Sequence, residues 1–253
     1  MINVSNISFS YSQKKVINDL SFTMEKGDFC AVMGLNGSGK STLLKLMLKL
    51  LPLEKGKIEI DGKDIREYST KVMAQKIAYV PQRQDMIFDF SVYDVVMMGR
   101  NPYQNRWESE NAQDRQIVDS VLKWCNLEHL RDRMFTQLSG GESQRALIAR
   151  AMAQEAPIML LDEPLANLDI VHKFEILEIL KRLNRSKMTT IVIVLHDFSF
   201  AMQYAAKTLL LNEGTLQHYG ESSQILIPQI IKSAFNLSDQ YHVDALGNVF
   251  LHS

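Results

Sequence analysis

Gly34-Leu35-Asn36-Gly37-Ser38-Gly39-Lys40-Ser41 sits between two stretches of opposite periodicity. Before it, Asp28 to Met33 is apolar after its first residue, as a strand covered on both faces would be. After it, Ser41 to Leu51 repeats leucines at helical spacing. Strand, glycine turn and helix in that order make one half of a parallel α/β unit. The turn fits the G-x-x-x-x-G-K-[ST] pattern in the context its mechanism needs. Glycines let backbone N–H groups converge on phosphate oxygens, and the following helix adds its positive end. Gly34, Asn36, Gly37, Ser38 and Gly39 are the expected cradle, Lys40 reaches the β- and γ-phosphates, Ser41 ligates Mg²⁺, and Thr42 adds a phosphate contact. The bland alternative is an ordinary Gly/Ser turn with a solvent lysine.

A metal at such a turn needs a second holder. Ile158-Met159-Leu160-Leu161-Asp162-Glu163 supplies one, a buried strand ending in two carboxylates. Asp162 is expected to bind Mg²⁺ through water, and Glu163 to point at an attacking water as general base. Standing alone, such a pair is as often a helix N-cap.

Around these two segments the pattern keeps alternating. Polar and apolar residues alternate from Ile2 to Phe22, as in half-buried antiparallel strands. Further strands are expected at Lys57–Ile60, Ile77–Val80, Ile158–Leu161, Thr190–Leu195 and Thr208–Leu211. Helices are expected at Val92–Met98, Asp114–Trp124, Glu142–Gln154 and Val171–Leu183. The block from about Met86 to Ala153 is therefore mostly helical and is read as an inserted subdomain. The tail from Asn212 carries turn signals at Glu213-Gly214 and Gly247-Asn248 with a short helix between. With no Pro/Gly/Ser linker, repeat or low-complexity tract, a single domain over 1–253 is the economical organisation.

Composition narrows the partners. Twenty-eight basic and 29 acidic side chains leave a formal charge of -1, so no global field draws the chain onto nucleic acid or an anionic membrane. Cys30 and Cys125 show no metal-ligand spacing and suit a reducing compartment. The oiliest stretch, Leu43 to Leu53, is interrupted by Lys45 and Lys49, which excludes a membrane span there. The first lysines follow a polar alternating stretch instead of preceding an apolar one, so no secretory signal is expected.

Leu138-Ser139-Gly140-Gly141-Glu142-Ser143-Gln144-Arg145, just upstream of the acid pair, is a more specific signature than the phosphate turn. It resembles the ATP-binding-cassette (ABC) family, with Glu142 where Gln is common. Other landmarks follow in the family's order over essentially the whole chain. Tyr11 resembles the aromatic residue on which adenine stacks, with Val16 near it; Gln82 resembles the glutamine that touches Mg²⁺ and the attacking water. Ala166-Asn167-Leu168-Asp169 resembles the loop that crosses the dimer seam, and His196 the histidine on the γ-phosphate. The resemblance implies a P-loop NTPase core of mostly parallel sheet, an N-terminal antiparallel β subdomain and an inserted α-helical subdomain. It also implies catalytic roles for Lys40, Gln82, Glu163 and His196, with ATP and Mg²⁺ bound. Ser139, Gly140, Gly141 and Glu142 would face the nucleotide of a second copy, in a head-to-tail pair with two ATP molecules at the seam.

A spanless member of this family docks on a membrane permease. Ser91 to Tyr103, with its V-x-x-G-R-x-P core, resembles the ATPases of importers for siderophore-iron, haem and cobalamin. The resemblance therefore implies a peripheral subunit on the cytoplasmic face, served indirectly by an extracytoplasmic binding protein. The alternatives are a zinc or manganese importer and a soluble ABC-class ATPase not coupled to transport.

Overall fold

The alternation from Ile2 onward folds as two long strands, β1 (Ile2–Tyr11) and β2 (Lys14–Met24). The computed structural model describes residues 1–82, 89–104, 111–238, 240–244 and 249–251. Next in the chain are β3 (Phe29–Met33), α1 (Lys40–Met47), β4 (Lys55–Ile60) and β5 (Lys63–Asp64). Then come α2 (Thr70–Lys76), β6 (Ile77–Val80), α3 (Val92–Met97), α4 (Ala112–Trp124), α5 (Gly140–Ala153), β7 (Ile158–Leu161) and α6 (Ile170–Lys187). β8 (Thr190–Val194), α7 (Phe198–Tyr204), β9 (Lys207–Asn212) and β10 (Thr215–Glu221) follow. The described chain closes with α8 (Ser222–Ile225), α9 (Pro228–Ala234), β11 (Tyr241–Val243) and β12 (Val249–Leu251). Among the described residues no helix is long and apolar enough to cross a membrane.

The chain divides into two compact units, Met1–Tyr68 with Thr190–Ser253, and Ser69–Thr189. In the first, β2, β1, β4 and β5 form an antiparallel sheet in that order, with Ile2 opposite both Met24 and Ile60. A second sheet runs β10-β9-β3-β8. Its strand β3 is parallel to β8, Phe29 opposite Ile191, and to β9, Cys30 opposite Lys207. Every residue of β3 and β8 is buried, which is why both read as unbroken apolar runs. In the second unit β6 and β7 pair in parallel, Ile77 opposite Ile158. Among the described residues between them lie α3, α4 and α5; Met86, the expected start of the helical block, and the turn signal Gly247-Asn248 lie outside the described residues.

Some boundaries differ from expectation for identifiable reasons. The helix expected through Leu51 stops at Met47, because Lys49 is left-handed (φ 58°). Lys49 N then bonds Leu46 O and Leu50 N bonds Lys45 O, the paired closure of a Schellman motif. Among its described residues the tail holds two short helices and three strands in place of one helix. α7 was not expected because Phe198–Tyr204 is rich in aromatic residues of middling helix propensity. It starts on Asp197, whose Oδ1 accepts from Ser199 N and Phe200 N.

The V-x-x-G-R-x-P segment turns out to be a structural clamp. Ser91 and Asp94 cap α3 reciprocally, and the chain continues as a 3₁₀ turn through Arg100. A Cβ on Gly99 would lie 2.2 Å from the Arg150 carbonyl oxygen in α5, so only glycine admits that approach. Arg100, 4 % exposed, donates from Nε to Asp114 Oδ1 (2.9 Å) on α4 and from Nη1 to the Ala153 carbonyl (2.6 Å) at the end of α5. A cation at a helix C-terminus and a buried ion pair together tie three helices. Arg100→Ala leaves the Asp114 carboxylate buried without its partner, and the expected loss of unfolding free energy is about 3–5 kcal/mol. Urea denaturation measures it, with the Arg100→Leu/Asp114→Leu double variant closer to wild type than Arg100→Ala. A loss under about 1 kcal/mol would mean the pair is not the clamp described.

Candidate functional site

Beyond Met33 the chain turns through three left-handed glycines, Gly34 (φ 147°), Gly37 (φ 80°) and Gly39 (φ 101°). A Cβ on Gly34 would meet the Leu211 carbonyl oxygen at 2.1 Å, and one on Gly39 the Val16 carbonyl oxygen at 2.8 Å; one on Gly37 would meet nothing within 4 Å. The outer glycines are thus packed against β9 and β2, and the middle one leaves the turn open. Gly39 is the N-cap of α1 and has no side chain to satisfy the helix's first N–H groups, which leaves a positive end behind the turn. Ser38 is 3 % exposed and its Oγ, buried, has no hydrogen-bond partner among the described residues. An unpaired buried hydroxyl beside a helix N-terminus matches a phosphate oxygen. Lys40 is buried, its Nζ donating to the carbonyls of Gly34 (2.9 Å) and Leu35 (3.0 Å), so the ammonium lies over the turn. Ser41 and Thr42 occupy the first turn of α1, and Asn36 is exposed.

The same unit carries three more of the expected residues. Tyr11 ends β1 with 44 % of its surface exposed and its ring edge-on to Phe9 (4.9 Å), so a face is open to stacking. Val16 supplies the carbonyl on which Gly39 packs. Leu195 N donates to Val32 O (3.2 Å), extending the β3–β8 ladder, so His196 leaves the carboxyl edge of the sheet beside the start of the turn. Ligands of open α/β sheets bind at that edge.

The acids belong to the other unit. Asp162 N donates to Val80 O (2.9 Å), so Gln82 and the acid pair leave β6 and β7 at the same edge. Asp162 is 4 % exposed. Burial pushes the Tyr79 hydroxyl up to about 12, and the Asp162 carboxylate it hydrogen-bonds adds to the rise; the neutral phenol holds that carboxylate in place. Sequence reasoning did not assign Tyr79, because nothing in the apolar run Ile77-Ala78-Tyr79-Val80 sets it apart. Glu163 is left-handed (φ 49°), at a cost of roughly 1–2 kcal/mol. There its Oε2 accepts a 2.6 Å hydrogen bond from Gln82 Nε2. With its amide nitrogen so engaged, Gln82 keeps its Oε1 as an acceptor. In this unit the Gln82 oxygen and the Asp162 carboxylate are hard oxygen donors and few, which fits Mg²⁺ completed by waters and phosphate oxygens.

Also in this unit, α5 starts two residues earlier than its periodicity suggested, with Ser139 as N-cap. Ser139 Oγ accepts from Glu142 N (3.3 Å) and Glu142 Oε2 from Ser139 N (2.8 Å). This capping box accepts Glu or Gln at its last position, which explains the glutamate here. The Ser139 N–H and hydroxyl hold the Glu142 carboxyl below the usual range. Gly140 and Gly141 lie in the first turn of α5, within its positive end.

The family model described as ABC transporter matches residues 17–166. The Petrobactin import ATP-binding protein FpuC of Bacillus anthracis is 38 % identical over 237 residues, covering 94 % of this chain and 87 % of its own. An ABC transporter described as of the metal-chelate type, in an inward-facing conformation, superposes with a TM-score of 0.83 at 36 % identity, over 99 % of this chain and 95 % of its own. The ATP-binding cassette MJ0796, as a dimer in a post-hydrolysis state bound to ADP and Pi, matches with a TM-score of 0.77 at 27 % identity, over 88 % and 99 %.

Gly39→Ala tests the turn. A Cβ at φ 101° and 2.8 Å from the Val16 carbonyl displaces the turn from β2. The expected loss is about tenfold or more in affinity for a fluorescent ATP analogue. Binding equal to wild type would separate the turn from the nucleotide.

Proposed function

The chain belongs to the ABC transporter family, and from that premise we propose that it hydrolyses ATP to power import of a metal chelate through a separate membrane permease. The chelate class, siderophore-iron, haem or cobalamin, is supported by relatives named for petrobactin, ferric enterobactin and cobalamin import. The observation that carries hydrolysis is the strained Glu163, aimed by Gln82 at the edge where Asp162 also emerges.

The turn amides and Lys40 bind the β- and γ-phosphates, Thr42 adds a contact, and Tyr11 with Val16 receives the adenine. Ser41, Gln82 and Asp162 would hold Mg²⁺, which supplies charge neutralisation on the phosphate oxygens. Glu163 takes a proton from water as the water oxygen bonds to the γ-phosphorus and the bond to ADP breaks; His196 donates to the γ-phosphate. Gln82 orients the Glu163 carboxylate and the water. Ser139, Gly140, Gly141 and Glu142 close over the nucleotide of a second copy, so ATP joins the pair and hydrolysis opens it. The chain is one ABC ATPase domain over 1–253, with its helical subdomain at about 86–153. It sits on the cytoplasmic face through the permease, which an extracytoplasmic binding protein supplies.

Glu163→Gln is expected to keep ATP affinity, to lower hydrolysis by roughly 10²–10⁴, and to accumulate an ATP-bound dimer on size exclusion with Mg-ATP. Hydrolysis within about threefold of wild type would remove Glu163 from the base role. For import, a tagged chain purified from membranes is expected to bring a hydrophobic permease with it; purification of the chain alone would leave an ATPase without transport.

A further inference from the structure

Gly141 packs on a side chain that has no part in the proposed ATP chemistry. A Cβ there would fall 2.2 Å from Cδ2, 2.4 Å from Cγ and 2.7 Å from Nε2 of His172, a residue in the first turn of α6. The ring is held on both sides. Its Nδ1–H donates to Glu175 Oε2 (2.9 Å), and because a carboxylate only accepts, that bond fixes the proton on Nδ1. Arg145, on α5, donates from Nη1 to the same carboxylate oxygen and lies 3.3 Å from Nδ1. On the other edge Nε2 is 3.8 Å from Asp169 Oδ2, while Asp169 Oδ1 accepts from His172 N (3.0 Å) as the N-cap of α6. Leu168 Cδ2 comes within 3.8 Å of where a Cβ on Gly140 would be.

The imidazole is thus a wedge with Asp169 on one side, Glu175 and Arg145 on the other, and Gly141 against its carbon edge. We infer that His172 is a positioning residue that holds the Ser139–Glu142 turn and the Ala166–Asp169 loop as one piece, with Gly141 required by the ring. The inference deepens the proposed function and rests on it, since the turn must serve ATP hydrolysis for its position to matter. It separates two causes for a glycine at 141: room for a nucleotide, or room for His172.

A suppressor experiment on the full chain distinguishes them. Gly141→Ala is expected to lower kcat by about tenfold or more with monomer affinity for the ATP analogue unchanged, because the Gly34–Ser41 turn is untouched. Gly141→Ala/His172→Ala is expected to recover about fivefold or more of that loss, a non-additivity that marks direct contact. His172→Ala alone lowers kcat about three- to tenfold, and His172→Gln, which keeps an N–H for Glu175, regains most of it. Amide exchange at residues 140–143 is expected to rise about fivefold in His172→Ala, with the midpoint of global unfolding little changed. If His172→Ala fails to fold, His172→Asn carries the same comparisons. A double variant no more active than Gly141→Ala, or exchange at 140–143 unaltered by removal of the ring, would overturn the inference. A wild-type chain without hydrolysis would instead fell the proposed function, and the exchange measurement would still decide the wedge.

Discussion

Helix N-termini expose N–H groups that the helix cannot satisfy, and each of the two units treats one such end differently. At α1 the N-cap is Gly39, which offers no side-chain acceptor. The turn before it folds only because three glycines take left-handed angles and two of them pack directly on carbonyls of β2 and β9. At α5 the end is partly satisfied by its own Ser139–Glu142 box. The first end has no side-chain cap and is open to an anion, whereas the second is self-capped, and in the proposed function it closes over an anion held by a second copy.

One of the left-handed non-glycine residues lies where the chemistry is proposed. Glu163 keeps a left-handed angle and a 2.6 Å bond from Gln82, and Asp162 behind it is held by a neutral Tyr79. A glutamate free to relax would lose the orientation that a general base needs, so the strain is offset by the parallel pairing of β6 and β7 that fixes both strand ends. The clamp of Gly99 and Arg100 is a separate use of the same economy. Residues resembling an importer motif act inside the helices α3, α4 and α5, where the buried Arg100 guanidinium after α3 is bonded to α4 through an ion pair and to the end of α5.

Much of this was legible in the sequence because its signals are local. The buried strands β3, β6, β7 and β8 read as apolar runs, and the turn, the acid pair and the signature stand at fixed offsets from them. What escaped was set by tertiary contact. The wedge of His172 under Gly141, the hold of Tyr79 on Asp162 and the burial of Arg100 each join residues far apart in the chain through packing that carries no periodicity. Short elements such as α7 and β11 lacked the length for a pattern to emerge.

The central claim is that the Ser139 end of α5 acts on a nucleotide held by another copy of the chain. Ser139→Arg, studied by ATP-analogue binding to the monomer and by hydrolysis in the same preparation, tests it most directly. The expected result is affinity within about twofold of wild type, because the Gly34–Ser41 turn is intact, and hydrolysis reduced about a hundredfold, because an arginine blocks closure of the pair. Full hydrolysis by Ser139→Arg would contradict the shared site.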